Sequence, residues 1–161
     1  SRGSFLPYFK KIIDSGTTEL PITHPDMTRF IITLKQGVKF VIKSFERMQG
    51  GEIFIPKIPS IKITDAAKYL LPNYTKKIIG IRPGEKLHEV MCPQDDAHLT
   101  IEFEDHFVIR PSINLSNNND YFKNNIDEKG KQVSIGFEYS SNKNSDFANK
   151  KVFISMISDL G

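Results

Sequence analysis

Cysteine is nearly missing from this chain. Cys92 is the only one in 161 residues, which excludes an internal disulfide framework and suits a reducing compartment. Charge of one sign is scarce too: 22 basic against 19 acidic side chains leave a formal +3 with the signs interleaved, too mild for a nucleic-acid binder. No apolar run approaches the ~20 residues of a membrane span, and the opening SRGSFLPYF lacks the layout of a secretory signal. A soluble cytoplasmic protein without membrane or nucleic-acid partners is therefore expected. Glycine-rich phosphate loops, metal-spaced histidine or cysteine clusters, a G-x-S-x-G elbow and internal repeats are also lacking. The histidines, His24, His88, His98 and His106, are scattered, and a lone histidine in a mixed loop is more often structural than catalytic.

What is present suffices for one compact domain with a real core, at 39% hydrophobic and 11% aromatic content. The chain opens on Ser1 and runs through Arg2-Gly3-Ser4 into an amphipathic pattern, so it reads as a cut through a longer polypeptide. Ser4 is a plausible N-cap for a helix through Phe5, Phe9 and Ile12 that stops at Gly16. ELPITHPDMTRFIIT, with prolines at 21 and 25, reads as an ordered loop with short extended pieces. The clearest element follows. Thr33 and Gln36 predict a capping box, and Leu34, Val38, Val41, Ile42, Phe45 and Met48 line one stripe, which predicts a helix with that face buried, closed by Gly50-Gly51. Phe40, Phe45 and Phe54 are expected in the core.

EIFIP reads as a strand, KIPSIKI as a turn, and Thr64 as the cap of a short helix. KIIGI is a further expected strand, Lys86 to Met91 a short helix, and HLTIEFEDHFVIR a hairpin turning at Glu104-Asp105. This alternation predicts an α/β arrangement. Beyond Pro111 the asparagine-rich NLSNNNDYFKNNIDEKGKQ reads as a long surface excursion, with order recovered in GFEYSS and VFISMISDL.

The most pointed local pattern is RPGEK, directly after KIIGI. Arg82 and Glu85 stand three residues apart across Pro83-Gly84. They either shield each other as an exposed pair, worth ~0 to 1 kcal/mol, or grip a ligand that carries negative charge and hydroxyls together.

Several blocks in order bear on that choice: SRGS at 1–4, LPITHPDMTRF at 20–30, FERMQGGEIFIPKIPS at 45–60, KIIGIRPGEKLHEVM at 77–91 and FEYSSNKN at 137–144. Together they resemble the C-terminal half of the inverting UDP-N-acetylglucosamine 4,6-dehydratases, extended short-chain dehydrogenases/reductases of pseudaminic acid and other polysaccharide pathways. The resemblance covers nearly the whole chain and is weakest over residues 112–132. It implies an α/β fold, the C-terminal part of an NAD(P)-binding Rossmann-like enzyme with its small substrate-binding domain, the Rossmann half lying outside the chain. Residues 1–111 would be the substrate-binding portion and 112–161 a C-terminal extension with an Asn-rich loop.

By the same resemblance, Ser1 and Arg2 approach the nicotinamide end of NADP, and Phe5, Thr23, Arg82 and Glu85 bind UDP-N-acetylglucosamine. Relatives often carry a smaller aliphatic residue where Phe5 stands. The cofactor loop and the catalytic Tyr-x-x-x-Lys pair are expected upstream of Ser1, so no catalytic residue is expected here, and a homo-oligomer, commonly a hexamer, is implied. The residue types suit such a ligand: a guanidinium presents a rigid fork of donors to phosphate oxygens, and a carboxylate accepts from two adjacent hydroxyls, as a ribose offers. Arg29 is a further candidate, as a second phosphate contact or an interface residue.

Overall fold

The computed structural model describes residues 9, 11–12, 14–113 and 119–158. Phe9 and Ile12 are buried in a helical turn that ends at Gly16, whose φ of +71° supplies the left-handed stop. The expected cap at Ser4 lies outside the described residues, as do Ser1, Arg2 and Phe5.

Strand β1 (Glu19–Ile22) and strand β2 (Thr28–Phe30) are the extended pieces expected of the proline-containing segment. Helix α1 (Leu34–Arg47) begins with the capping box anticipated from Thr33 and Gln36, with both reciprocal bonds formed. Its orientation is the reverse of expectation. Leu34, Val38, Val41, Ile42 and Phe45 are all exposed, Leu34 by 77% and Phe45 by 69%, while Arg47 is buried. Phe45 is therefore not a core residue, whereas Phe54 packs on a buried cluster and half-buried Phe40 meets the His106 ring edge-on. The charged face of α1 is drawn inward because Asp105 and Glu128 lie beneath it. Arg47 Nη2 donates to Asp105 at 2.7 Å, and its Nε donates to Glu128 at 2.7 Å.

Strand β3 (Ile53–Pro56) follows α1, and β4 (Ser60–Lys62) makes KIPSIKI more than a turn, since it pairs antiparallel with β2. Helix α2 (Ile63–Leu70) starts at Lys62 without a side-chain cap. Thr64, the expected cap, instead donates to the carbonyl of Pro25. Strand β5 (Thr75–Ile78) lies parallel to β1, and β6 (Val90–Cys92) replaces the helix expected at Lys86 to Met91. A 3₁₀ segment, Gln94–Leu99, leads into the hairpin of β7 (Thr100–Glu102) and β8 (His106–Ile109), which turns at Glu104-Asp105 as expected.

Strand β9 (Lys131–Gln132) joins β7, giving a four-stranded antiparallel sheet of order β3-β8-β7-β9, and β10 (Tyr139–Ser140) pairs with β6. Helix α3 (Lys150–Ser158) closes the described chain. One core gathers Leu20, Ile22, Ile61, Ala66 and Phe153 between β1, α2 and α3; a second forms around Cys92, Phe107 and Tyr139; a third holds Ile101, Phe103, Val108 and Tyr121. Tyr121 and Asn124 are buried, so the described part of the asparagine-rich segment is packed structure and not only a surface excursion.

Candidate functional site

Strands β1 and β5 run side by side and end at the same level, and the ladder extends one bond further as Ile79 N–H donates to the Ile22 carbonyl. The segments that leave these two carboxyl ends carry Thr23 and RPGE, so they emerge together at the place where α/β proteins usually hold ligands. The second segment is a type II turn. Glu85 N–H donates back to the Arg82 carbonyl at 3.0 Å, Pro83 takes the first corner, and Gly84 takes the second with φ +80°, a value that disfavours side chains.

That turn aims the Glu85 carboxylate at Thr23. The Thr23 hydroxyl donates to Glu85 Oε1 at 3.5 Å, and the Arg82 main-chain N–H donates to Oε2 at 3.4 Å. Glu85 and Thr23 are half-buried, while the Arg82 side chain is exposed beside them. Three of the residues expected to bind ligand, Thr23, Arg82 and Glu85, are thus neighbours although 62 positions separate Thr23 from Glu85. Chemically the cluster offers a guanidinium at the rim, a carboxylate acceptor and a hydroxyl that can donate or accept.

The Arg29 guanidinium is engaged within the chain. Its Nη1 donates to the carbonyls of Thr28 and Leu87, its Nη2 donates to the Lys86 carbonyl at 2.8 Å, and its Nε stands 3.6 Å from Glu89. One guanidinium therefore binds the backbone that follows RPGE. A second fastening lies alongside, where the Thr28 hydroxyl contacts His88 Nδ1 at 2.8 Å and the Ser141 hydroxyl at 2.6 Å, and Ser141 in turn accepts from Glu89 N–H. These bonds hold residues 86–89 in an irregular path that bends at Leu87-His88 and account for the absence of the expected helix. Residues 28, 88 and 141 share no sequence spacing that could have announced the cluster.

The block FEYSSNKN serves the same frame. The Asn144 amide donates to the Ile58 carbonyl and to the Ser60 hydroxyl. The spacing Tyr-x-x-x-Lys, which the resemblance places upstream as a catalytic pair, also occurs once within the sequence, at Tyr139 and Lys143. Its environment is that of an anchor. The Tyr139 hydroxyl accepts from Ile58 N–H at 2.9 Å and donates to the Ile58 carbonyl at 3.0 Å. Burial pushes this phenol up, away from the value a general base would need, and Lys143 pairs with Glu138 at 3.2 Å.

Cys92 is likewise inert in character: it is fully buried against the Thr100 hydroxyl, and burial raises its thiol. Among the described residues no group of histidines, cysteines and acids is arranged to hold a metal, and no helix is long and apolar enough to cross a membrane. Nor do these residues fit a dinucleotide. No glycine-rich turn leads from a strand into a helix N-terminus among them, and the start of α1 is already occupied by Thr33 and Gln36.

The class defined so far is a mixed α/β fold with a ligand-competent loop at the ends of a parallel strand pair. The family model of the polysaccharide biosynthesis proteins matches residues 1–111. The chain is 57% identical over 158 residues to the inverting UDP-N-acetylglucosamine 4,6-dehydratase of Campylobacter jejuni subsp. jejuni serotype O:2, covering 98% of itself and 47% of that protein. It is 34% identical to the UDP-glucose 4-epimerase of Rickettsia canadensis over 88% of its own length and 41% of the epimerase. Among solved structures, Pen from Bacillus thuringiensis superposes with a TM-score of 0.76 at 25% identity, over 98% of this chain and 45% of that one. The chain belongs to the polysaccharide biosynthesis protein family and spans about half the length of the curated relatives it matches.

Proposed function

We propose that this chain is the C-terminal, substrate-binding part of an inverting UDP-N-acetylglucosamine 4,6-dehydratase of the extended short-chain dehydrogenase/reductase type. In the whole enzyme, NADP is held mainly by the other half, which also carries the catalytic Tyr-x-x-x-Lys pair. The product is a 5-epimerised UDP-2-acetamido-2,6-dideoxy-4-hexulose destined for pseudaminic acid or another surface polysaccharide, and the enzyme works as a homo-oligomer. Ser1, Arg2 and Phe5 belong to the cofactor and sugar end of that site, and Thr23, Arg82 and Glu85 to the nucleotide end.

One observation carries the reading: Thr23 and the Arg82–Glu85 turn converge at the carboxyl ends of β1 and β5. The chemistry follows from the residue types. Arg82, exposed and always charged, pairs with the diphosphate, while Glu85, already aimed by Thr23 and the Arg82 N–H, accepts from a ribose diol. The chain's contribution is to set the register of the nucleotide, so that the sugar carbons are presented to groups supplied by the other half. NADP bound by that half would supply the hydride acceptor for oxidation at C4 and the donor for C6, on either side of the loss of water across C5 and C6.

Titration calorimetry of this chain with UDP tests the assignment. Arg82→Ala and Glu85→Ala should each weaken binding by roughly tenfold or more, the size expected for a lost hydrogen bond to a charged group. Equal affinity of both variants and the parent would refute the site. The chain alone should not turn over UDP-N-acetylglucosamine. A second reading, an epimerase or reductase of another UDP-sugar, draws on the 34% identity to the Rickettsia epimerase. A non-catalytic UDP-sugar-binding module would show the same calorimetry without needing a partner half.

A further inference from the structure

The joint behind the RPGE turn holds a line of polar atoms whose protons can be placed one by one. Ser141 is fully buried, and its hydroxyl oxygen accepts from the Glu89 N–H at 2.9 Å, so its own O–H needs an acceptor. The Thr28 hydroxyl oxygen, 2.6 Å away, is the acceptor that the described residues provide. Thr28, buried as well, thereby receives one proton and passes its own to its remaining partner, His88 Nδ1 at 2.8 Å. The line runs one way, from the Glu89 N–H through Ser141 and Thr28 to His88. Nδ1 is its terminal acceptor, which makes the imidazole neutral with its proton on Nε2. The opposite order would start from a protonated Nδ1 and leave the Ser141 O–H buried without an acceptor, at the full desolvation cost of an unpaired donor.

Main-chain bonds enclose the same residue. Leu87, just before His88, accepts from the Thr28 N–H at 3.1 Å, and Glu89, just after it, accepts from the Ser141 N–H at 2.8 Å. The Glu85 carboxylate, by contrast, is aimed by two contacts of 3.5 and 3.4 Å, at the long end of hydrogen bonding and correspondingly weak. Its direction therefore depends on where the chain behind it is fixed, and that is at residues 86–89. Ser141 lies outside the span 1–111 that carries the family match, so a later segment reaches back to the stretch behind the turn.

We propose that His88 is a positioning residue of the nucleotide site: the Ser141–Thr28 relay locks it as the neutral Nε2–H tautomer, and this lock fixes the chain behind Glu85 so that the carboxylate meets the ribose of a uridine diphosphate in one orientation. The identity of the ligand rests on the function proposed above; the tautomer does not. His88 acts through the three-residue span back to Glu85. Thr28 and Ser141 make the lock specific, because a hydroxyl accepts and donates at once while a carbonyl or an amide N–H cannot.

The test uses the full 161-residue chain, isotopically labelled at the histidine ring nitrogens. Long-range nitrogen–proton correlation spectra should show His88 with Nε2 protonated and Nδ1 bare, the signal being assigned by its loss in His88→Leu. Thr28→Val keeps the shape of the side chain and deletes the hydroxyl. It should mix the two tautomers, speed hydrogen exchange at the Glu85 N–H and weaken UDP binding, read by titration calorimetry, roughly threefold to tenfold. Thr28→Ser should recover all three readings. His88→Leu should weaken UDP binding to the same degree, and His88→Asn, whose amide oxygen takes the place of Nδ1, should recover most of that loss. A parent chain in which Nδ1 carries the proton, or in which both tautomers are populated, overturns the relay. UDP affinity at the parent's level in Thr28→Val and His88→Leu overturns the positioning role, and because His88 is only half-buried its variants decide the matter even if Thr28→Val does not fold. A parent chain that binds no UDP overturns the nucleotide reading and the ligand role together, while the nitrogen spectrum judges the tautomer independently.

Discussion

Gly130 shows how one residue type can be dictated by packing and not by backbone freedom. A Cβ there would lie 2.5 Å from Ile101 Cγ2 and 2.9 Å from the Phe103 ring, both buried side chains of the sheet core. Gly130→Ala should therefore cost about 1 to 3 kcal/mol through overpacking, read as a lower urea midpoint with an unchanged slope. Tyr139 makes a related point, since its spacing to Lys143 matches a catalytic pair while its hydroxyl is consumed by both main-chain groups of Ile58. Residue identity was legible in the sequence; what each side chain touches was not. Thr23 and Glu85 could be suspected only through resemblance, and nothing in a single line of residues says that a hydroxyl will meet a carboxylate 62 positions away.

Among the elements, those with strong local codes were readable. The capping box of α1, the β7–β8 hairpin and the strand β3 stand where expected, because each is specified by neighbours three or fewer residues apart. The segment 86–89 fails for the opposite reason. Its helical spacing is overridden by Arg29, Thr28 and Ser141, which take its backbone and His88 from outside. Arg29→Ala should consequently free this segment, raise hydrogen exchange at Glu89 and Val90, and weaken UDP binding several-fold by loosening the turn that aims Glu85. Arg29→Lys should rescue it poorly, since a single ammonium cannot span the carbonyls of residues 28, 86 and 87 together. UDP affinity equal to that of the parent in Arg29→Ala would show that the turn holds its own geometry.

Acid sensitivity belongs to the molecule as a whole, through the charges gathered between α1, the β7–β8 hairpin and the asparagine-rich segment. Hydrogen bonding to Arg47 lowers Glu128 from an ordinary 4.5 to about 2. Burial would raise Asp105, yet the hydrogen bonds from Arg47 and His106 outweigh it and hold this carboxyl far below the usual carboxylate range. Burial lowers His106, which lies stacked on Phe54 and Phe103 and is kept neutral. All three groups bind protons less readily when folded than when unfolded, so stability is greatest above the ordinary histidine value of 6.5 and declines as pH falls. The histidine contribution goes first, below about 6.5, and the carboxylate contributions follow between about 4.5 and 2. Thermal melting from pH 7 to 3 should show a monotonic fall, and Arg47→Met should flatten its lower limb while lowering stability at neutral pH. A lower limb equally steep in Arg47→Met would remove this network from the explanation.

The sequence by itself determined the mixed α/β character, the family, and those helices and turns whose signals are local, because capping, alternation and turn chemistry act over a few residues. Tertiary structure alone decided that the apolar stripe of α1 faces outward and its arginine inward, that residues 86–89 are not helical, and that Thr23 meets Glu85. Those outcomes depend on which surfaces meet after the chain has closed on itself, and an amphipathic pattern states that one face seeks cover without stating what provides it.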